Sequence, residues 1–569
     1  VKKAHWLKGA GIGLFSLSFF LPQSALLQPA VPAHPMDALS SVEIENAVTI
    51  LRESERITAN ARFPTLTLLE NDKADVWAWQ AGEPFTRRAF AIVMDDSRVF
   101  EADINLTEAT VESWREVHGV QPRVLLEETD ITGLLWADPR WQEAMAARGF
   151  DEEDALFCTP LTPGPVLPPE IAGRRVLYSS CFDNTDAEHM TFGLPIENLM
   201  GIIDVGNREV LDVIDLGVVP APTDRPSLDY AQSIGYRPAM KPVTIETPEG
   251  SNIAIDGSLI TWDNWRFHLR TDQRVGPVVS LVTYNDEGER RPIAYQISVS
   301  EMFVPYMDPA ATWSWKAYMD VGEYGFGLLS SSLQRGADCP ASAHYLDQVL
   351  PDDNGNPFVL RDSVCVFERP LGSPLWRHVG DTATASVPAV ELVVRMAPVV
   401  GNYDYFVDYV FNKAGDIDVR AGAAGIDAVK GVAAQTLNDL TAAQDTEHGT
   451  LIGNGLVGIN HDHYISFRVD LDVDGAENRA VYDNVVTERL PDTNPRRSLW
   501  RVEAETIPVE GALNKAMGSG FLRSSVVSVK TTWAMLPVTN STPAITLHQC
   551  YPVTISCSSA PPGRRNLSG

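Results

Sequence analysis

The chain has 569 residues, too many for one hydrophobic core, so several domains are expected. Its 75 acidic residues against 45 basic ones leave a net charge of −30, which repels nucleic acid and draws cations toward the surface. Hydrophobic content of 44% is ordinary for a globular protein. Residues 1–33 read as a targeting segment: Lys2, Lys3 and Lys8 precede a short apolar body at 9–21, and small residues (Ser24, Ala25, Ala30, Ala33) follow. That order is a secretory signal peptide, with a signal anchor as the alternative. The apolar body is short for a bilayer span, and no other long apolar run follows, so the mature chain is expected to carry no stable membrane span.

Residues 35–122 open on a helix signal. Ser40 or Ser41 can cap it, Glu43 and Glu45 suit its N-terminal dipole, and Ile44, Val48 and Leu51 follow helical spacing. Strand-like alternation comes next, as at 89–94. Residues 123–225 repeat the order, a helix around Trp141 and Met145 and then strands at 175–181 and 200–205. Two small α+β modules are expected. Residues 226–243, with Pro226, Pro238 and Pro242, read as a linker. From 244 to about 530 strand follows strand, punctuated by turns such as Asn285-Asp286-Glu287-Gly288 and Asp353-Asn354-Gly355. The fold class is therefore mainly β, a large β-sandwich preceded by two α+β modules.

Six cysteines suit a secreted chain with a few disulfides. Cys158 and Cys181 are matched by parity alone. Cys339 and Cys365 flank a turn-rich stretch at 351–357 that a bridge could close. Asn105-Leu106-Thr107 and Asn540-Ser541-Thr542 are glycosylation acceptors if the chain is secreted.

The stretch with chemistry in it is Asn460-His461-Asp462-His463-Tyr464. Residues i and i+2 of a strand point to one face, so His461 and His463 are expected to converge, and paired imidazoles suit copper or zinc. The alternation continues: Ile465, Phe467, Val469 and Leu471 form an apolar face, while Asp470, Asp472 and Asp474 line the other. Carboxylates at i, i+2 and i+4 suggest calcium. A half-buried strand with a solvated acidic face is the plainer alternative.

At these residues the chain resembles the copper amine oxidases. Asn402-Tyr403-Asp404 matches their cofactor motif, residues 449–475 their copper strand, and Tyr306-Met307-Asp308-Pro309 with residues 318–325 the segment of their catalytic base. Three matches in order are more specific than any one. The resemblance implies that Tyr403 becomes topaquinone through copper and dioxygen. A primary amine then forms a Schiff base on it, and Asp320 removes the α-proton. Aldehyde, ammonia and hydrogen peroxide leave. It also implies that Tyr306 hydrogen-bonds the quinone, Asn402 orients it and Tyr318 gates the substrate channel. His461 and His463 would bind copper. Asp470, the Leu471 carbonyl and Asp472 would form part of a calcium site, and Cys339 and Cys365 a disulfide. Homodimers and secretion are expected by the same resemblance. One departure is Val399, where many members carry Thr or Ser.

The tail, 531–569, departs further. The third copper histidine and the remaining calcium ligands of the family fall beyond the matched region, and His548 lies in no such context. Back-translation of residues 533–541 with a one-base shift permits Leu-Gly-His-Ala-x-x-Tyr-x-Leu, like a family segment expected there. A frameshift or missed intron near Thr532 is the expectation, which sequencing of gene and transcript tests. The competing readings are a catalytically inactive secreted relative and an unrelated copper- or zinc-binding β protein using His461 and His463 alone.

Overall fold

The computed structural model describes residues 32–164, 167–185, 191–222, 241–509 and 520–526. The expected leader up to residue 31, the linker up to residue 240, and the tail with His548, Cys550, Cys557 and the Asn540 acceptor lie outside them.

The first unit begins with α1 (Ser41–Glu53). Ser40 caps it: its hydroxyl accepts from Glu43 N while the Glu43 carboxylate accepts from Ser40 N, which satisfies two donors that a helix start leaves bare. Ile44, Ala47, Val48 and Leu51 then share a buried stripe. They pack on an antiparallel sheet of β1 (Arg62–Leu68), β2 (Arg88–Asp95), β3 (Arg98–Asn105) and β4 (Thr110–Val117), with the short α2 (Lys73–Ala78) between β1 and β2. In the second unit α3 (Ile131–Trp136) and α4 (Pro139–Ala146) cover β5 (Leu156–Leu161), β6 (Val176–Asp183), β7 (Pro195–Asp204) and β8 (Glu209–Asp215). Asp138 caps α4 and Pro139 fills its first turn. Cys158 and Cys181 face each other across β5 and β6 and form a disulfide.

The third unit is the largest. Strands β9 (Ala254–Asp256), β10 (Leu259–Trp262), β11 (Trp265–Asp272), β12 (Gly276–Asp286), β13 (Glu289–Pro305) and β14 (Ala317–Met319) form one sheet. A second contains β15 (His344–Pro351), β16 (Pro357–Val379), β17 (Thr384–Met396), β18 (Val399–Val400), β19 (Tyr403–Asn412) and β20 (Ile417–Gly425). Aromatic side chains from both sheets meet between them; Phe267 of β11 stacks on Phe411 of β19 with centroids 4.4 Å apart. That is sandwich packing. Three more strands, β21 (Val429–Gly431), β22 (Gly449–Gly453) and β23 (Leu456–Ile459), form a small sheet, and β24 (Tyr464–Leu471) then adds to β13. Finally β25 (Asn478–Arg489), β26 (Ser498–Ile507) and β27 (Gly520–Val526) make a separate ribbon. Cys339 and Cys365 are bridged. Residues 370–379 of β16 with 384–388 of β17, and residues 500–506 of β26, are exposed over their whole length.

The first unit is docked on the sandwich through named bonds. Leu66 N donates to Gln273 Oε1 at 3.1 Å and Gln273 Nε2 donates to Pro64 O at 2.8 Å. The turn at 353–355 fits against α1 and β1 so closely that a Cβ on Gly355 would stand 2.4 Å from Val48. Asn105, the expected glycan acceptor within the described residues, opens the turn between β3 and β4. It is buried, and its Nδ2 donates to Glu112 Oε1 at 2.7 Å.

Candidate active site

Tyr403 opens β19, where Val400 and Tyr403 are register partners across a tight turn. Gly401 takes a φ of 60° there, a left-handed conformation that favours glycine. Asn402 braces the turn from its own backbone and side chain: Nδ2 donates to Ile426 O at 2.7 Å, and Ile426 N donates to Asn402 O at 2.8 Å. The phenol of Tyr403 is then buried beside His461 Nε2 at 2.7 Å and Asp427 Oδ1 at 3.1 Å. Burial first, and then the Asp427 carboxylate, push its pKa well above the usual phenol value.

The two histidines do converge, with ring centroids 5.1 Å apart. They are not on the strand, however. β24 begins at Tyr464, and His461 makes only an isolated bridge to Tyr306. The reason lies in the topology: residues 460–463 carry the chain from β23 in the small sheet to the edge of β13. The alternation expected after them is present in β24, where Ile465, Phe467 and Val469 are the less exposed positions.

Each ring has a fixed tautomer. His461 Nδ1 lies 2.7 Å from Ile459 O, an acceptor only, so it carries the proton and leaves Nε2 bare. Tyr405 donates its proton to Asp320 Oδ2 at 2.8 Å, so His463 Nδ1–H donates to the same hydroxyl at 3.0 Å. That leaves His463 Nε2 bare as well, and it is buried with no hydrogen-bond partner. A buried unpaired nitrogen costs free energy unless something accepts its lone pair. Two unprotonated imidazole nitrogens, one facing the Tyr403 hydroxyl and one with no partner, fit copper. Among the described residues no third His, Cys, Asp or Glu completes the group.

Asp320 begins a single π-helical turn (Asp320–Tyr324) after β14. Glu301 Oε1 accepts from Val321 N at 3.1 Å and Gly322 N at 2.9 Å, which fixes the turn. A side chain at 322 would collide with that carboxylate, since a Cβ there stands 2.6 Å from Glu301 Oε2. Asp320 is only 4% exposed. Burial raises its pKa to about 7, with Glu323 and Glu301 adding to the rise and the Tyr405 hydrogen bond opposing it. A carboxylate so placed changes protonation near neutral pH, as a general base requires.

Tyr306 stacks on His461 with ring centroids 4.5 Å apart. Beside it a cavity of about 100 Å³ is lined by Tyr306, Trp313, Lys316, Tyr318, Asn402 and Phe192 among others. Glu197 also reaches it, but its carboxylate is engaged by Trp313 Nε1 at 3.0 Å and Gly431 N at 3.1 Å. The sequence reading missed Tyr405 and Asp427. Tyr405 was legible as the residue two positions along the Tyr403 strand face; Asp427, 24 residues from Tyr403, carried no local signal.

The calcium expectation is corrected. Lys73 Nζ of α2 donates to Asp470 Oδ1 at 2.6 Å and to Asp472 Oδ1 at 2.7 Å. Trp77 Nε1 donates to Asp472 Oδ2 at 2.7 Å, and Asn478 Nδ2 donates to Leu471 O at 3.3 Å. Asp474 lies beyond the strand and is paired with Arg291 at 2.6 Å. Oxygens occupied by protein donors do not fit a divalent cation, which needs six to eight of them free.

Residues 254–525 match the enzyme domain of the copper amine oxidases, and residues 34–117 match their N2 domain. The chain is 37% identical over 501 residues to a primary amine oxidase of Klebsiella aerogenes, covering 86% of this chain and 65% of that protein. It is 33% identical over 486 residues to copper-containing amine oxidase gamma 2 of Arabidopsis thaliana, covering 82% of this chain and 70% of the relative. A copper-containing benzylamine oxidase from Hansenula polymorpha shares the fold at a TM-score of 0.76 and 21% identity, over 86% of this chain and 79% of its own. The amine oxidase of Aspergillus nidulans does so at a TM-score of 0.69 and 19% identity, over 87% and 73%. With a phenol, two bare imidazoles and a buried acid on this sandwich, and with these relatives, the chain belongs to the copper amine oxidase family.

Proposed function

We propose that the chain is a primary-amine oxidase. One amine, one dioxygen and one water give one aldehyde, one ammonia and one hydrogen peroxide. The observation that carries the reading is the Tyr403 hydroxyl 2.7 Å from His461 Nε2, with the buried carboxyl of Asp320 linked to the second imidazole through Tyr405. His461 and His463 would hold copper. When bound, copper would let dioxygen oxidise Tyr403 to topaquinone, the group that would take up the electron pair of the amine. The chain's own residues do the rest. Tyr306 and Asn402 hold residue 403 in one orientation, while the buried rings around it exclude water. Asp320 takes the proton from the carbon next to the amine nitrogen. Tyr318, on the cavity wall, limits what reaches it. The cavity offers rings, the engaged Glu197 carboxylate and the buried Lys316 amine, whose pKa burial lowers to about 8, so it suits an amine with one nitrogen and an apolar tail rather than one with a second cationic group.

Nitroblue tetrazolium staining of the copper-loaded protein, followed by peroxide release with benzylamine, tests the reading. Staining and peroxide support it; a copper-loaded protein with neither would overturn it. A second reading, a catalytically silent relative, is favoured by one observation: among the described residues only two imidazoles meet Tyr403.

Homodimer formation is proposed on the exposed hairpins, whose apolar residues include Leu371, Trp376 (54% exposed) and Trp500 (68% exposed). Secretion is proposed on the basic-then-apolar pattern of residues 1–33 and on the two disulfides. Among the described residues no helix is long and apolar enough to cross a membrane.

A further inference from the structure

The acidic pair at the end of β24, Asp470 and Asp472, holds an ammonium. Lys73 reaches it from α2 of the first unit, 397 and 399 positions away from its two partners in sequence. Its Nζ meets one oxygen of Asp470 and one of Asp472, and stands 5.1 Å from the centre of the Tyr295 ring. The remaining acceptors also face donors of the chain. The other Asp472 oxygen receives the Trp77 indole N–H, the Leu471 carbonyl receives Asn478, and the other Asp470 oxygen lies 3.8 Å from the Arg468 guanidinium. Asp472 is only 2% exposed. A carboxylate that deep must be paired, and every donor paired to it belongs to the chain.

We propose that Lys73 is a built-in substitute for a divalent cation, so that this edge of the sandwich holds together without calcium. Two consequences follow. The ammonium is a single charge with three directed donors, satisfied by two carboxylates and a ring face, where calcium would demand more oxygens than remain free. And because the cation is carried on α2, the pairing also fastens the first unit to the strand that follows His461 and His463. The proposal is independent of the amine oxidase reading, since it concerns a pair of carboxylates outside the active site.

Terbium, a luminescent probe for calcium sites, tests it on the full chain. Trp77 touches Asp472 and so would sensitise any terbium bound there. In the unsubstituted protein, we expect no terbium emission that depends on Asp472, and a thermal midpoint that calcium does not move. Lys73→Ala is expected to lower the midpoint and to gain terbium binding by at least about tenfold, because the two carboxylates then lose the ammonium that neutralised them. Added calcium should displace the terbium and restore the midpoint, and Asp472→Asn on that background should abolish the gain. Lys73→Arg, which keeps a cation, should stay insensitive to calcium. Calcium-displaceable emission in the unsubstituted protein that Asp472→Asn removes would overturn the proposal. So would a Lys73→Ala protein whose stability is unchanged, or is lowered but not recovered by calcium.

Discussion

Asp320 is the residue on which the proposed chemistry turns, and burial is what tunes it. With its pKa raised to about 7, the carboxylate form needed for proton abstraction accumulates only as pH rises through neutrality. The amine-oxidation rate is therefore expected to climb across that range and level off above it, as a pH–rate profile would show. Asp320→Asn should lower turnover by roughly 10²–10⁴-fold while leaving the redox stain intact, the range expected for loss of a positioned base. Tyr405→Phe removes the hydrogen bond that opposes the rise, so the inflection should move to higher pH; an unmoved profile would show that Tyr405 does not act on Asp320. Stability follows the same group with the opposite sign. A carboxyl whose folded pKa is raised favours the fold below its unfolded value and loses that contribution as pH passes about 7. Asp320→Asn should then melt higher than the unsubstituted chain at alkaline pH, and the gap should close in acid.

At the scale of elements, what was readable in advance was what repeats locally. Ser40 with Glu43 announces α1, and alternation announces β24, because caps and strand faces are written within a few residues. The paired histidines were readable as a pair but not as a crossing: nothing in Asn460-His461-Asp462-His463 says that the chain changes sheets there. Carboxylates spaced for a metal looked the same in sequence whether a cation or Lys73 would meet them, since the lysine comes from a separate unit. The π turn at Asp320 was likewise invisible, as it depends on Glu301 from β13. Close docking carries its own test. Gly355→Val places a side chain into Val48 and Phe63, at a position whose φ of 80° already disfavours any side chain. A loss of about 1–3 kcal/mol is expected from overpacking alone, visible as a lower thermal midpoint; an unchanged midpoint would mean that the first unit does not press on the sandwich.

At the scale of the molecule, the three units carry one candidate site, and the largest holds the residues proposed for its chemistry. The exposed hairpins argue for a second copy: Trp376→Glu on β16 should shift the sedimentation of a dimer toward monomer, and a chain already monomeric would reject that assembly. Excess negative charge on the whole chain suits a cationic substrate and is screened by salt, so raising ionic strength should reduce kcat/KM more than kcat.

The central claim is that the ring of Tyr403 is converted to an oxidant beside His461 and His463. Phenylhydrazine labelling of the copper-loaded, oxygen-exposed protein, followed by peptide mass spectrometry, reads it most directly. The account predicts a hydrazone on the peptide that contains residue 403, absent from Tyr403→Phe and from His463→Ala. An unmodified tyrosine at 403 in a protein shown to hold copper would contradict it.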